Sequence, residues 1–129
     1  MIVIEGNLHR DERGIVRFVN DFDMTHVKRM YCIEPKLGVV RAWQGHKIET
    51  KWFYAAKGSF LVKTVNMFNF EKKEYYLKDK DSNILEIKGG CYNGFESLEV
   101  GGVLMVFSNF DLVGSKADDW RESIETIAW

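Results

Sequence analysis

With 129 residues, 46% of them hydrophobic and 14% aromatic, the chain has enough apolar material for one globular domain over 1–129 and is not a disordered polymer. A formal net charge of −1 gives no bulk attraction to nucleic acid or to an anionic membrane, so an anionic ligand has to be met by a few placed cations. No apolar run reaches bilayer length, MIVIEGNLHRDERG turns charged too soon for a signal peptide, and two cysteines (Cys32 and Cys91) are too few for a disulfide scaffold; a cytoplasmic protein with free thiols is expected.

Ile2–Ile4 is a short first strand, Asp11–Gly14 a turn and Ile15–Val19 the next strand. After a loop over Asn20–His26, Val27–Ile33 alternates, with Arg29, Tyr31 and Ile33 on one face and Lys28, Met30 and Cys32 on the other. Strands follow at Val39–His46, Lys51–Ala56, Ser59–Val65, Glu74–Leu77, Ile84–Ile87, Tyr92–Leu98 and Val103–Phe107, the last being the most apolar run. Only Ala117–Ile127 has helical character, with Ser115 as a plausible N-cap and Asp118 and Asp119 in the first turn. About ten short strands with a small helix last argue for an all-β sandwich or barrel.

The densest stretch is GVVRAWQGHKIETKWFYAAKG, Gly38 to Gly58. Alternate strand residues share a face, so Gln44, His46 and, by position, Arg41 are candidates to point into one cavity. The order Gly38, Gln44, His46, Lys51, Gly58 resembles the first cupin motif, and Ile87–Phe95 resembles the second, with Asn93 where a histidine stands. The resemblance implies a cupin-type double-stranded β-helix, a jelly-roll barrel. Of four expected metal ligands only His46 remains, beside Gln44, Lys51 and Asn93. An ammonium group repels a cation, so no metal is expected.

Within the cupins, the chain is similar to the nucleotide-sugar isomerases, namely the dTDP-4-dehydrorhamnose 3,5-epimerases and the dTDP-4-keto-6-deoxyglucose 3,4-ketoisomerases. Asp11-Glu12-Arg13-Gly14 resembles their early D-x-R-G, and Val27–Ile33 their basic-Arg-x-Tyr strand. Arg41–Lys47 resembles their R-G-x-H-A-H-K segment, Ala56–Ser59 their S-G-S turn, and Asn93-Gly94-Phe95 their H-G-F. The departures are specific. Gln44 stands where the epimerases carry a histidine base, and an amide takes no proton at neutral pH. The position of their tyrosine acid falls near Met105 or Phe107.

What the resemblance implies is cofactor-free isomerisation of a nucleotide-activated 4-keto-6-deoxy sugar, in deoxysugar or surface-polysaccharide biosynthesis. His46 is cast as base, Tyr31 or Tyr92 as acid or enolate donor, and Arg29 and Arg41 as diphosphate and enolate stabilisers. Gln44, Lys51 and Asn93 are cast as substrate-binding groups. Each has an ordinary alternative: a structural hydrogen-bonded histidine, arginines paired with Glu34 or Glu49, and tyrosines with satisfied hydroxyls. The rival function is a non-catalytic cupin that binds a sugar nucleotide or serves as an accessory subunit.

A homodimer is also expected. Trp43, Trp52, Phe53, Tyr54, Phe60, Phe68 and Phe70 crowd a small barrel and suggest an outer apolar interface. Ile2-Val3-Ile4 is a suitable strand to add to a partner's sheet.

Overall fold

Twelve strands and one short helix make up the chain in the computed structural model, which describes residues 1–129. The strands are β1 (Ile2–Ile4), β2 (Asn7–Asp11), β3 (Gly14–Phe18), β4 (Arg29–Ile33), β5 (Arg41–His46) and β6 (Lys51–Lys57). They continue with β7 (Ser59–Asn66), β8 (Lys72–Lys78), β9 (Ile84–Ile87), β10 (Cys91–Ser97), β11 (Val103–Ser108) and β12 (Trp120–Arg121), with helix α1 (Leu112–Ala117) between the last two.

Two five-stranded sheets, ordered β1-β9-β6-β11-β4 and β12-β5-β10-β7-β8, form the two layers, and β2–β3 is a separate hairpin. All named strand pairs are antiparallel. This is the expected jelly-roll arrangement, in which each inner face turns one alternate set of side chains to the other. The interior cluster is Phe53, Ala55, Phe60, Val62, Leu77, Leu85, Ile87, Phe95, Leu104 and Val106. Gly58 makes the β6–β7 turn at φ +84, where an L side chain is strained, and its N–H donates to Asp79 Oδ2 at 2.8 Å.

Three expectations change, and one strand is added. The helix is not Ala117–Ile127: α1 begins after Asp111, whose carboxylate accepts from Gly114 N at 2.7 Å, and Ser115 is buried inside it. The chain leaves the helix at Asp118 because that carboxylate bonds three backbone amides on the β5–β6 turn, and the following residues pair with β5. The charged Asn7–Asp11 segment, with His9, is a strand because it pairs along its whole length with β3.

Ile2–Ile4 is not a free donor segment, since it pairs with Ile84–Glu86 of its own chain and satisfies that edge locally. The aromatic crowding is also largely resolved within the chain. Trp43 and Trp52 are buried, the first against Trp129 at 5.3 Å and the second against Phe22 at 5.8 Å, while Phe68 and Phe70 stand exposed at the β7–β8 turn.

Candidate active site

A cavity of about 510 Å³ opens between the two layers. Its apolar wall includes Phe53, Phe95 and Val106, the first two meeting edge-on at 6.0 Å. Its polar groups are Tyr31 from β4, Arg41 and Gln44 from β5, Lys51 from β6 and Asn93 from β10. Arg121 and Glu122 complete it from the C-terminal segment.

Arg41 and Gln44 are three residues apart and would face opposite ways on a regular strand. They share the cavity because β5 carries an extra residue. Asn93 pairs with Gln44 and Phe95 with Arg41, so the step from 93 to 95 on β10 matches the step from 41 to 44 on β5. Gly94 permits that bulge: a Cβ there would lie 2.5 Å from Ala42 Cβ.

Gln44 is held from both ends. Its amide nitrogen donates to Asp119 Oδ1 at 3.2 Å, and its oxygen accepts from Lys51 Nζ at 3.3 Å. The Lys51 ammonium therefore stands at the inner end of the cavity, with its residue only 3% exposed. Beneath it lies Glu49, whose side chain is fully buried and accepts no hydrogen bond within the chain. Three basic groups surround that carboxylate: Lys51 Nζ at 3.8 Å, Arg29 Nη2 at 3.8 Å and His46 Nε2 at 3.2 Å. A buried carboxylate is tolerable only with such compensation.

His46 does not line the cavity. Its Nδ1 meets the Asp118 carbonyl at 2.5 Å, which requires the N–H there, and its Nε2 faces the same Glu49 oxygen that Lys51 approaches. Burial, and after it the Lys51 ammonium, hold the imidazole below its ordinary pKa, against the pull of the Asp118 carbonyl and Glu49.

The Asp118 carboxylate accepts from the N–H groups of Lys47, Ile48 and Glu49, each at 2.9 Å. Burial acts to raise its pKa, but those three amides and the Trp120 indole outweigh it and hold the group low.

Arg29 also stands outside the cavity, donating to Ser115 Oγ at 3.1 Å and lying 5.0 Å from the Tyr31 ring centre. Its pairing with Glu49 is the alternative anticipated from sequence, but buried instead of on the surface. Tyr92 is turned away. It neighbours Asn93 on one strand, Asn93 faces inward, and the Tyr92 ring covers Gly45 on the other side of the sheet.

The structure thus brings together Tyr31, Arg41, Gln44, Lys51 and Asn93, and places His46, Arg29 and Tyr92 outside the cavity. Arg121, Glu122, Asp118 and Asp119 were missed because 117–127 reads locally as helix. The charged run Asp118-Asp119-Trp120-Arg121-Glu122 carries no sign of its contacts some seventy residues back in the chain.

A divalent metal does not fit this donor set. No three His, Cys, Asp or Glu side chains converge, and the Lys51 ammonium occupies the ground between Gln44 and Glu49.

Among solved structures, the dTDP-4-dehydrorhamnose 3,5-epimerase of Sulfolobus tokodaii superposes with a TM-score of 0.81 at 20% identity, covering 98% of this chain and 79% of that one. A sugar 3,4-ketoisomerase from Thermoanaerobacterium thermosaccharolyticum, in complex with TDP, gives 0.75 at 22% identity over 98% of this chain and 90% of its own. The fold is that of the dTDP-sugar epimerases and ketoisomerases. The Mycobacterium tuberculosis epimerase agrees at 0.77 and 17% identity, and here the chain spans 66% of the longer enzyme. No protein-family model matches the sequence, and no curated protein matches it either. No helix is long and apolar enough to cross a membrane.

Proposed function

We propose that this chain isomerises a nucleotide-activated 4-keto-6-deoxy sugar without a cofactor, in deoxysugar or surface-polysaccharide biosynthesis. One observation carries the reading: a buried ammonium, Lys51, fixed by Gln44 and Glu49 at the inner end of a cavity in this particular fold. A proton α to a ketone becomes removable when the developing enolate oxygen meets a positive donor that needs no reorganisation. Lys51 is that donor. It is held in low-dielectric surroundings, where its field acts most strongly on a developing negative charge.

Tyr31 supplies a hydroxyl for reprotonation, and Asn93 supplies an amide for a sugar hydroxyl. Arg41 and Arg121, both exposed at the mouth, suit the diphosphate. Glu49 and Gln44 keep Lys51 in place, while Arg29 and His46 bear on Glu49; His46 acts through Glu49 in this reading and not on the sugar. The free thiols of Cys32 and Cys91 suit the cytoplasm. We take the chain to be a single domain that works as a homodimer, with the exposed Ile15 and Val16 of the β2–β3 hairpin as the apolar contact.

Incubating the protein with a panel of 4-keto nucleotide sugars in deuterated water, read by mass, tests the activity. The wild type should add deuterium at a carbon next to the ketone. Lys51→Met should lower that rate by about 10²–10³-fold, the size expected for losing one enolate-facing donor. The replacement of the motif histidine by Gln44, with His46 out of the cavity, favours a second reading, a sugar-nucleotide binder without chemistry. Tight binding of the nucleotide sugar with no deuterium uptake would establish that second reading instead.

A further inference from the structure

Gln44 and Arg121, both on the cavity wall, are held by one side chain that is not itself on that wall. It is Asp119. Its Oδ1 accepts from Gln44 Nε2 and from Arg121 Nε, each at 3.2 Å, and its Oδ2 accepts from Arg121 Nη2 at 3.2 Å. Burial acts to raise its pKa, but the Gln44 amide and the Arg121 guanidinium outweigh it, so the group is a carboxylate at neutral pH. Its backbone is fixed on both sides. Just before it, Asp118 bonds the amides of Lys47, Ile48 and Glu49; just after it, Trp120 and Arg121 pair with Gly45 and Gln44.

A side-chain amide has a donor end and an acceptor end, whereas a carboxylate only accepts. Gln44 must therefore turn its nitrogen to Asp119, which leaves its oxygen for Lys51 Nζ at 3.3 Å. The reversed amide would set oxygen against carboxylate and amide hydrogens against ammonium, so both attractive contacts would become repulsive. An ammonium carries three N–H groups. The Gln44 oxygen accepts one and Glu49, at 3.8 Å, draws another, so the third is left for a ligand in the cavity. The direction of that third donor is thus set by the way the Gln44 amide lies.

We infer that Asp119 is a positioning residue: by fixing the orientation of the Gln44 amide, it aims the Lys51 ammonium into the cavity. The inference rests on the isomerase reading above, in which that ammonium meets the enolate oxygen. Asp119 touches no substrate in this role. It acts through a chain that runs Asp119, Gln44, Lys51, Glu49, with an acceptor-only carboxylate at each end. Arg121 supplies the compensating charge, so the carboxylate serves without repelling an anionic ligand at the mouth. The chain also sets what position 44 requires: a neutral side chain with a donor for Asp119 and an acceptor for Lys51. Glutamine meets that requirement, and glutamate lacks the donor.

The test follows the Gln44 side-chain amide by nitrogen–proton NMR, beside the deuterium assay, in wild type, Asp119→Leu and Asp119→Asn. Asp119→Leu removes the acceptor. It should move the Gln44 amide signals to those of a free glutamine and lower kcat for deuterium uptake by about 10–10²-fold, the scale of a misplaced reacting group. Asp119→Asn, whose oxygen can accept from the same amide, should recover part of both. A swap decides the point without Asp119→Leu. Gln44→Glu sets carboxylate against carboxylate in the wild type, but meets an amide donor in the Asp119→Asn background, so its loss of uptake should be about 10-fold smaller there. An unmoved Gln44 signal or wild-type uptake in Asp119→Leu, or equal losses from Gln44→Glu in both backgrounds, overturns the assignment and leaves the isomerase standing. No exchange by the wild type on any keto sugar overturns the isomerase reading and, with it, the part of Asp119 in turnover.

Discussion

The inner faces of two strands, β6 and β11, change chemistry halfway along, and β10 shares the change from Asn93 to Phe95. On β6 the inward side chains run Lys51, Phe53, Ala55; on β10 they run Asn93, Phe95, Ser97; on β11, taken in reverse, Ser108, Val106, Leu104. Phe53 and Phe95, in edge-to-face contact, divide the interior. On one side lie Phe60, Val62, Leu77, Leu85 and Leu104, each at most 0% exposed and free of polar atoms. On the other lie Lys51, Glu49 and His46, just as deeply buried but charged or polar.

Burial is therefore not the distinguishing property. The apolar half gains stability from each group removed from water, while the polar half holds charges that are costly unless mutually compensated. Such an arrangement is retained for what it does at the cavity, since hydrophobic residues of similar volume would serve stability as well.

The largest effect should come from breaking the charged half. Glu49→Ala leaves the buried Lys51 and the half-buried Arg29 without their carboxylate and should cost about 4 kcal/mol in urea unfolding. Replacing Glu49 by Leu and Lys51 by Met together should return most of that loss while abolishing activity. A cost below about 1 kcal/mol for the single change would show that water, not protein, neutralises this cluster.

In the apolar half, Leu85→Ala should cost about 3 kcal/mol from lost transfer energy and the cavity left behind, with catalysis retained in the folded fraction. Activity lost without loss of stability would contradict the division drawn at Phe53 and Phe95.

The smallest and most diagnostic effect is in pH. The folded state holds His46 below its ordinary value of 6.5, so the unfolded chain binds the proton more readily. The stability that this residue contributes is complete above pH 6.5 and is lost as pH falls through the folded value. Asp118 and Asp119 are likewise held below 3.8, and their contribution is present above that value and lost at still lower pH. Melting temperatures in a buffer series should show two descending steps. His46→Gln should remove the upper step and leave the lower one; an unchanged upper step would place the titrating group elsewhere.

Local pattern alone was enough for the β-rich class, for most strand positions and for the turn at Gly58, because alternation and glycine placement are properties of neighbouring residues. The likeness to the cupin motifs, not strand parity, put Gln44, Lys51 and Asn93 at the site; parity itself grouped Gln44 with His46, which lies outside the cavity. The same parity separates Tyr92 from Asn93. Only tertiary structure decided the rest. Arg41 joined the cavity through a bulge that depends on Gly94 meeting Ala42 across two strands. Residues 118–122 left their apparent helix because Asp118 found three free amides at Lys47, Ile48 and Glu49. His46 was drawn into a buried charge cluster, and Glu122 was drawn onto β5 by its backbone pairing with Trp43. Each of those outcomes turns on one or two contacts between distant parts of the chain, whose energy outweighs local preference and leaves no periodic trace in the sequence.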